Sequence, residues 1–238
     1  MKERGILFSD AMVRAILAGK KTQTRRAMRT NHVGYHSFAR WDGAVGRRAM
    51  MRCLNDPGIA TGSRELRSVF CENNPYGVPG DRLWVRECWK RADAGHGPCV
   101  SYRSTPDRHL GVMRDDLLDG WQNDTTWRPS LLMPRWASRI TLEVTGVRVE
   151  RAQAISDADV AAEGVDAEAV EALWSAAKVK RKVECGPVAS IMSGGDELDI
   201  HDAPPKELWR LAWTLINGRE SWESNPFVWV IEFKVVPR

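Results

Sequence analysis

The stretch Ile16–Arg26, ILAGKKTQTRR, places Lys21 three residues ahead of Thr24, directly after a helix stop at Gly19. A threonine hydroxyl is a weak nucleophile and needs a base to take its proton. A lysine amine serves as that base when burial or nearby cations lower its pKa. Lys20, Arg25 and Arg26 supply such cations. In a regular strand, positions 21 and 24 would point to opposite faces. The pairing therefore requires a corner after Gly19 that folds Lys21 toward the face of Thr24. The same residues also describe a solvated basic turn, and spacing alone leaves both readings open. A third group of interest is Glu163, just before Gly164 at the end of a short helical pattern. A helix C-terminus disfavours an anion and tends to raise a carboxyl pKa, which suits a group that gains and loses a proton. A solvated glutamate at a frayed helix end is the plainer alternative.

The elements that must position these groups are legible in outline. Residues 5–8, GILF, read as a short strand. Ser9 is an N-cap, Asp10 suits the first turn, and Met12, Val13, Ile16 and Leu17 recur at helical spacing. Gly19 is a natural stop, so a helix of about ten residues ends before Lys20. A strand then begins over Thr22–Arg26. Pro79-Gly80-Asp81 is a turn into a strand carrying Leu83 and Val85. SRITLEVTGVRVE predicts a strand pair, or one long strand bent near Gly146. ISDADVAAEG predicts a short helix capped by Ser156, with Asp159 completing a capping box and Gly164 ending it. Further helices are expected near Ala167–Val179 and over Pro205–Asn217, the latter with proline at its first position and Gly218 as its stop. A closing strand follows over Phe227–Val236. Three stretches, at about 28–74, 91–133 and 180–204, lack periodicity and read as irregular insertions in one domain spanning 1–238. The order does not alternate as βαβ units. An α+β domain around a small barrel-like antiparallel sheet is expected.

Composition bounds the partners. The 238 residues carry a formal net charge of +4, which permits a nucleic acid or phosphate without requiring one. The 11 tryptophans are unusual; most should pack, although indole also stacks on bases. Arg40, Arg47, Arg48 and Arg52 form a candidate basic patch in the first insertion, equally readable as a solvated surface. Cys53, Cys71, Cys88, Cys99 and Cys185 are odd in number and show no CxxC pair, so neither a disulfide framework nor structural zinc is expected. The histidines show no ligand spacing, and no metal or cofactor is assigned. No apolar run approaches the ~20 residues of a membrane helix, and the N-terminal apolar stretch is short for a signal peptide. A cytoplasmic location with reduced thiols is the expectation.

ILAGKKTQTRR resembles the signature of the ASCH domain, a PUA-like β-barrel family whose broad pattern is Gly-x-Lys-x-x-Glu-x-Arg. Gly19, Lys21, Thr24 and Arg26 fill it here, with Thr24 where many members have Glu. That variant is similar to the small bacterial ASCH amidohydrolases that hydrolyse N(4)-acetylcytidine. PGDRLWV resembles the family's Gly-Asp-x-Leu-x-Val strand, ISDADVAAEG its short helix with a catalytic Glu, and FVWVIEFK its closing strand. The match covers about half the chain and none of the insertions; longer ASCH proteins of phages and prophages share the PGDRLWVRE stretch.

The resemblance implies a PUA-like (ASCH) small β-barrel with flanking helices and an acyl-transfer reaction on an N(4)-acylated cytosine nucleoside. Thr24 would be the nucleophile, Lys21 its base, and Glu163 the proton shuttle to the leaving amine. Arg26 would hold the oxyanion or a substrate oxygen. Trp84 is a candidate for stacking on the base, and Arg86 and Glu87 for reading its edge; core packing and a structural ion pair explain these three equally well. A small nucleoside is the expected partner and RNA the second. The competing reading is a non-catalytic PUA-like module that binds RNA or modified bases.

Overall fold

The computed structural model describes residues 1–28, 74–93, 97–111, 121–181 and 200–237. Strand β1 (Glu3–Leu7) leads through Ser9, whose hydroxyl accepts from the Met12 amide, into helix α1 (Asp10–Leu17). Gly19 turns the chain at φ +72°, a conformation open to glycine at no steric cost, and β2 (Gln23–Ala27) follows. Then come β3 (Arg82–Arg86), β4 (Trp89–Asp93), β5 (Pro98–Tyr102), β6 (Thr105–Gly111) and the long β7 (Thr141–Arg151). Helices α2 (Asp157–Ala162), α3 (Ala167–Arg181), α4 (Pro205–Asn217) and α5 (Arg219–Glu223) precede the final strand β8 (Phe227–Val236).

These elements form a mixed α+β fold with a five-stranded sheet, β1-β3-β7-β8-β2, and a three-stranded sheet, β4-β5-β6. β7 is a single bent strand whose register shifts between Val144 and Gly146, where a bend was expected. β8 is sandwiched, which explains its near-continuous apolar sequence. Trp229, Ile231 and Phe233 pack with Phe8, Val13, Ile16, Leu83 and Val85, while Val228 and Val230 pack with Trp209 and Trp213 of α4. Each such aliphatic side chain, fully buried, contributes about 1.5–3 kcal/mol.

Three expectations change. The main sheet is not wholly antiparallel: β1 pairs with β3 in parallel, Gly5 opposite Trp84. Among the described residues β1 and β2 are the two open edges, and no closed barrel forms. The stretch 91–133 is not simply irregular, because much of it belongs to the antiparallel β4-β5-β6 meander and its core of Trp89, Val100, Tyr102, Met133 and Ala137. The first insertion, with Arg40, Arg47, Arg48 and Arg52, lies outside the described residues, as does most of 180–204. No described helix is long and apolar enough to cross a membrane.

Candidate active site

Lys21 and Glu163, 142 positions apart in sequence, meet in the interior. The Lys21 amine donates to Glu163 Oε2 at 2.7 Å and to the Glu163 carbonyl at 2.8 Å. Lys21 is 2% exposed and Glu163 3% exposed. The local chain explains how this happens. The amides of Lys20 and Lys21 both donate to the Ala15 carbonyl, Thr22 donates to Ala162, and the Thr22 carbonyl accepts from Phe233. The corner is thus pinned between α1, the end of α2 and β8. Glu163 caps α2, and Gly164 leaves it at φ +65°. A Cβ on Gly164 would lie 3.0 Å from the Cβ atoms of both Ala15 and Lys21, so glycine serves close approach as well as conformation.

Thr24 lies in β2, 2% exposed and opposite Ile231 of the core. Its face is shared by Arg26, opposite Trp229, whose guanidinium lies 5.1 Å from the Phe8 ring centroid and donates to the Leu7 carbonyl. Lys21 lies over the same ring at 5.8 Å. The corner after Gly19 therefore brings Lys21 to the side of the sheet that Thr24 and Arg26 occupy. The Thr24 hydroxyl itself makes no hydrogen bond among the described residues; both Lys21 bonds go to Glu163.

The electrostatics make the Lys21 amine easier to deprotonate than an ordinary lysine. Burial pushes the Lys21 pKa below the ordinary lysine value; Glu163 opposes this, and the Arg26 and Arg25 charges add to it. Burial also pulls Arg26 down from the usual guanidinium range, against Tyr76 and Glu163. Several polar atoms here are buried without a hydrogen-bond partner among the described residues: Glu163 Oε1, Arg26 Nε, and Arg25 Nε and Nη1. Unmade hydrogen bonds of this kind are costly, each about 1–3 kcal/mol, and mark a site that a ligand or water could complete.

The remaining sequence candidates lie elsewhere. Trp84 is 8% exposed and packs against Gly5 on the face opposite Leu83 and Val85, with the Arg86 guanidinium 4.5 Å from its ring centroid. It therefore faces away from Thr24. Glu87, 1% exposed, takes both arms of Arg139 at 2.9 Å and a hydrogen bond from Ser104. This is the structural ion pair, and it leaves Glu87 little capacity for a base edge. Sequence reasoning named Arg25 only as a cation near Lys21 and missed that its buried guanidinium lies 3.5 Å from Glu163 Oε1. The signal was present in the doubled arginine after Thr24, but strand parity assigns Arg25 to the other face.

No group of three or more His, Cys, Asp or Glu among the described residues is placed to hold a metal ion. Cys88 and Cys99 are free thiols; the other three cysteines lie outside the described residues. No protein-family model, curated protein or solved structure matches the chain.

Proposed function

We propose that the chain is an amidohydrolase that removes the acyl group from N(4)-acylated cytosine nucleosides, on a PUA-like ASCH framework. The observation that carries this reading is the buried 2.7 Å contact between Lys21 and Glu163, with Lys21 over the Phe8 ring that Arg26, on the face of Thr24, also meets. A buried ionic pair is a weak source of stability, so its presence at the start of the strand that carries Thr24, whose hydroxyl makes no hydrogen bond among the described residues, supports a chemical use.

The resting pair can supply base and acid together. Moving one proton from the Lys21 amine to Glu163 leaves a neutral amine to accept the Thr24 proton and a carboxylic acid to donate one. Thr24 Oγ attacks the exocyclic amide carbonyl, and Arg26 stabilises the oxygen on which charge develops. The C–N bond breaks as Glu163 delivers its proton to N4, because an unprotonated amine leaves poorly. The acyl group is then an ester of Thr24. Water attacks that ester and gives up a proton to the Glu163 carboxylate. The Thr24 oxygen regains the proton held on Lys21, and the carboxylic acid leaves. No role for Trp84, Arg86 or Glu87 enters this scheme.

The test is hydrolysis of N(4)-acetylcytidine followed by ultraviolet absorbance. Turnover to cytidine by the native chain, absent in Thr24→Ala, supports the reading; a folded chain without turnover overturns it. The second reading, a non-catalytic module for RNA or modified bases, draws on one feature: Lys21 is fully engaged with Glu163 and neither bonds the Thr24 hydroxyl.

A further inference from the structure

We propose that Arg25 is the positioning residue of the site: its forked guanidinium sets the rotation of α2, so that Glu163 presents one carboxylate oxygen to Lys21.

Arg25 stands on the opposite face of β2 from Thr24, in register with Val230, and its side chain is 0% exposed. From the edge strand it reaches α2 at two points. Nη2 binds Asp159 Oδ2 at 3.1 Å, and Nη1 lies 3.5 Å from Glu163 Oε1. Asp159 and Glu163 are four residues apart on α2 and so share one face. One planar guanidinium therefore hydrogen-bonds Asp159 through Nη2 and sets its Nη1 charge beside the Glu163 carboxylate, one helical turn on. The fork is itself anchored: Nη2 also binds Glu150 Oε2 at 2.8 Å, and the guanidinium lies 5.9 Å from the Trp209 ring centroid. Arg148 grips Asp159 and Glu150 from the other side, at 2.9 Å for Asp159 Oδ1. With Oε1 turned to Arg25, Oε2 is the oxygen left for Lys21. A lysine ammonium at position 25 would keep the charge but lose the fork that reaches two carboxylates at once.

The inference rests on the amidohydrolase reading for its kinetic consequence, and a second readout is independent of activity. The charged groups around the pair are Arg25 and Arg26 from β2, Glu150 and Arg148 from β7, and Asp159 from α2. The experiment compares native chain, Arg25→Lys and Arg25→Gln. It measures kcat and KM on N(4)-acetylcytidine, together with titration of the Lys21 amine by NMR in isotopically labelled lysine. Arg25→Lys is expected to lose about tenfold in kcat with little change in KM, the size of a misplaced reacting group. In Arg25→Gln the Lys21 titration is expected to move further down, because a displaced Glu163 no longer supplies the contacts that raise the Lys21 pKa, a larger cause than the Arg25 charge. Native kcat in folded Arg25→Lys overturns the proposal. So does an unmoved Lys21 titration in folded Arg25→Gln. If the native chain turns over no acylated cytidine, the amidohydrolase reading falls, and the Lys21 titration still decides the role of Arg25.

Discussion

Removing one charge of the Lys21–Glu163 pair should be far more damaging than its share of a double removal. At 2.7 Å the two charges attract by about 6 kcal/mol for an effective dielectric near 20. Most of that offsets the cost of taking both out of water. Lys21→Met alone strands a carboxylate that is 3% exposed, with Arg25 at 3.5 Å as its remaining cation. The expected loss is about 3–4 kcal/mol, slightly under the upper range for a broken buried pair because Arg25 remains. Glu163→Gln alone strands the ammonium but keeps the backbone carbonyl bond at 2.8 Å, and should cost about 3 kcal/mol. The double variant should cost well under the sum, with a coupling energy of about 2–3 kcal/mol. Urea unfolding at neutral pH, with slopes compared across the four proteins, measures this cycle. A coupling energy under about 0.5 kcal/mol, or a Lys21→Met loss under about 1 kcal/mol, would refute the buried-pair reasoning.

The pH dependence has a defined sign. Burial holds the folded Lys21 pKa below its unfolded value of 10.5, so the folded chain binds fewer protons in that window and gains stability as pH rises through it. The stability gap between native and Lys21→Met should therefore widen with pH between the lowered pKa and 10.5; a gap that narrows there contradicts the assignment. The kcat/KM profile should fall as pH rises through the lowered Lys21 pKa, below 10.5, since the scheme needs the one proton that the Lys21–Glu163 pair shares. Glu87→Gln, which breaks the bidentate contact with Arg139, should cost about 3 kcal/mol in urea unfolding while kcat of the folded fraction stays native. A selective fall in kcat would place Glu87 in the chemistry.

The sequence made local features legible and left non-local ones hidden. Ser9, Ser156 and Gly19 carry their own capping and turn chemistry, so α1 and α2 are readable from a few residues. The bend at Gly146 and the span of β8 follow from pattern alone. The parallel pairing of β1 with β3 left no mark in either strand, because pairing direction depends on a partner some 80 positions away. The meander was obscured by chemistry: β6, TPDRHLG, is largely exposed and shows no apolar alternation, and its proline reads as a breaker. The Lys21–Glu163 meeting was suggested by family resemblance, since nothing in either residue's spacing brings them together. Glu87 and Arg139 form their pair over 52 positions, beyond any local pattern. Arg25 was read only as a cation near Lys21, because parity on β2 separates it from Thr24 and no pattern reveals that a side chain on an edge strand reaches a neighbouring helix.

The central claim is that Thr24 carries the acyl group, and mass spectrometry of the native chain quenched during turnover of N(4)-acetylcytidine tests it most directly. The account predicts one acetyl group on the peptide containing Thr24, lost on further incubation and missing in Thr24→Ala, Lys21→Ala and Glu163→Ala, because Glu163 delivers the proton on which acyl transfer depends. Acetyl on a different residue, or full turnover by Thr24→Ala, would contradict it.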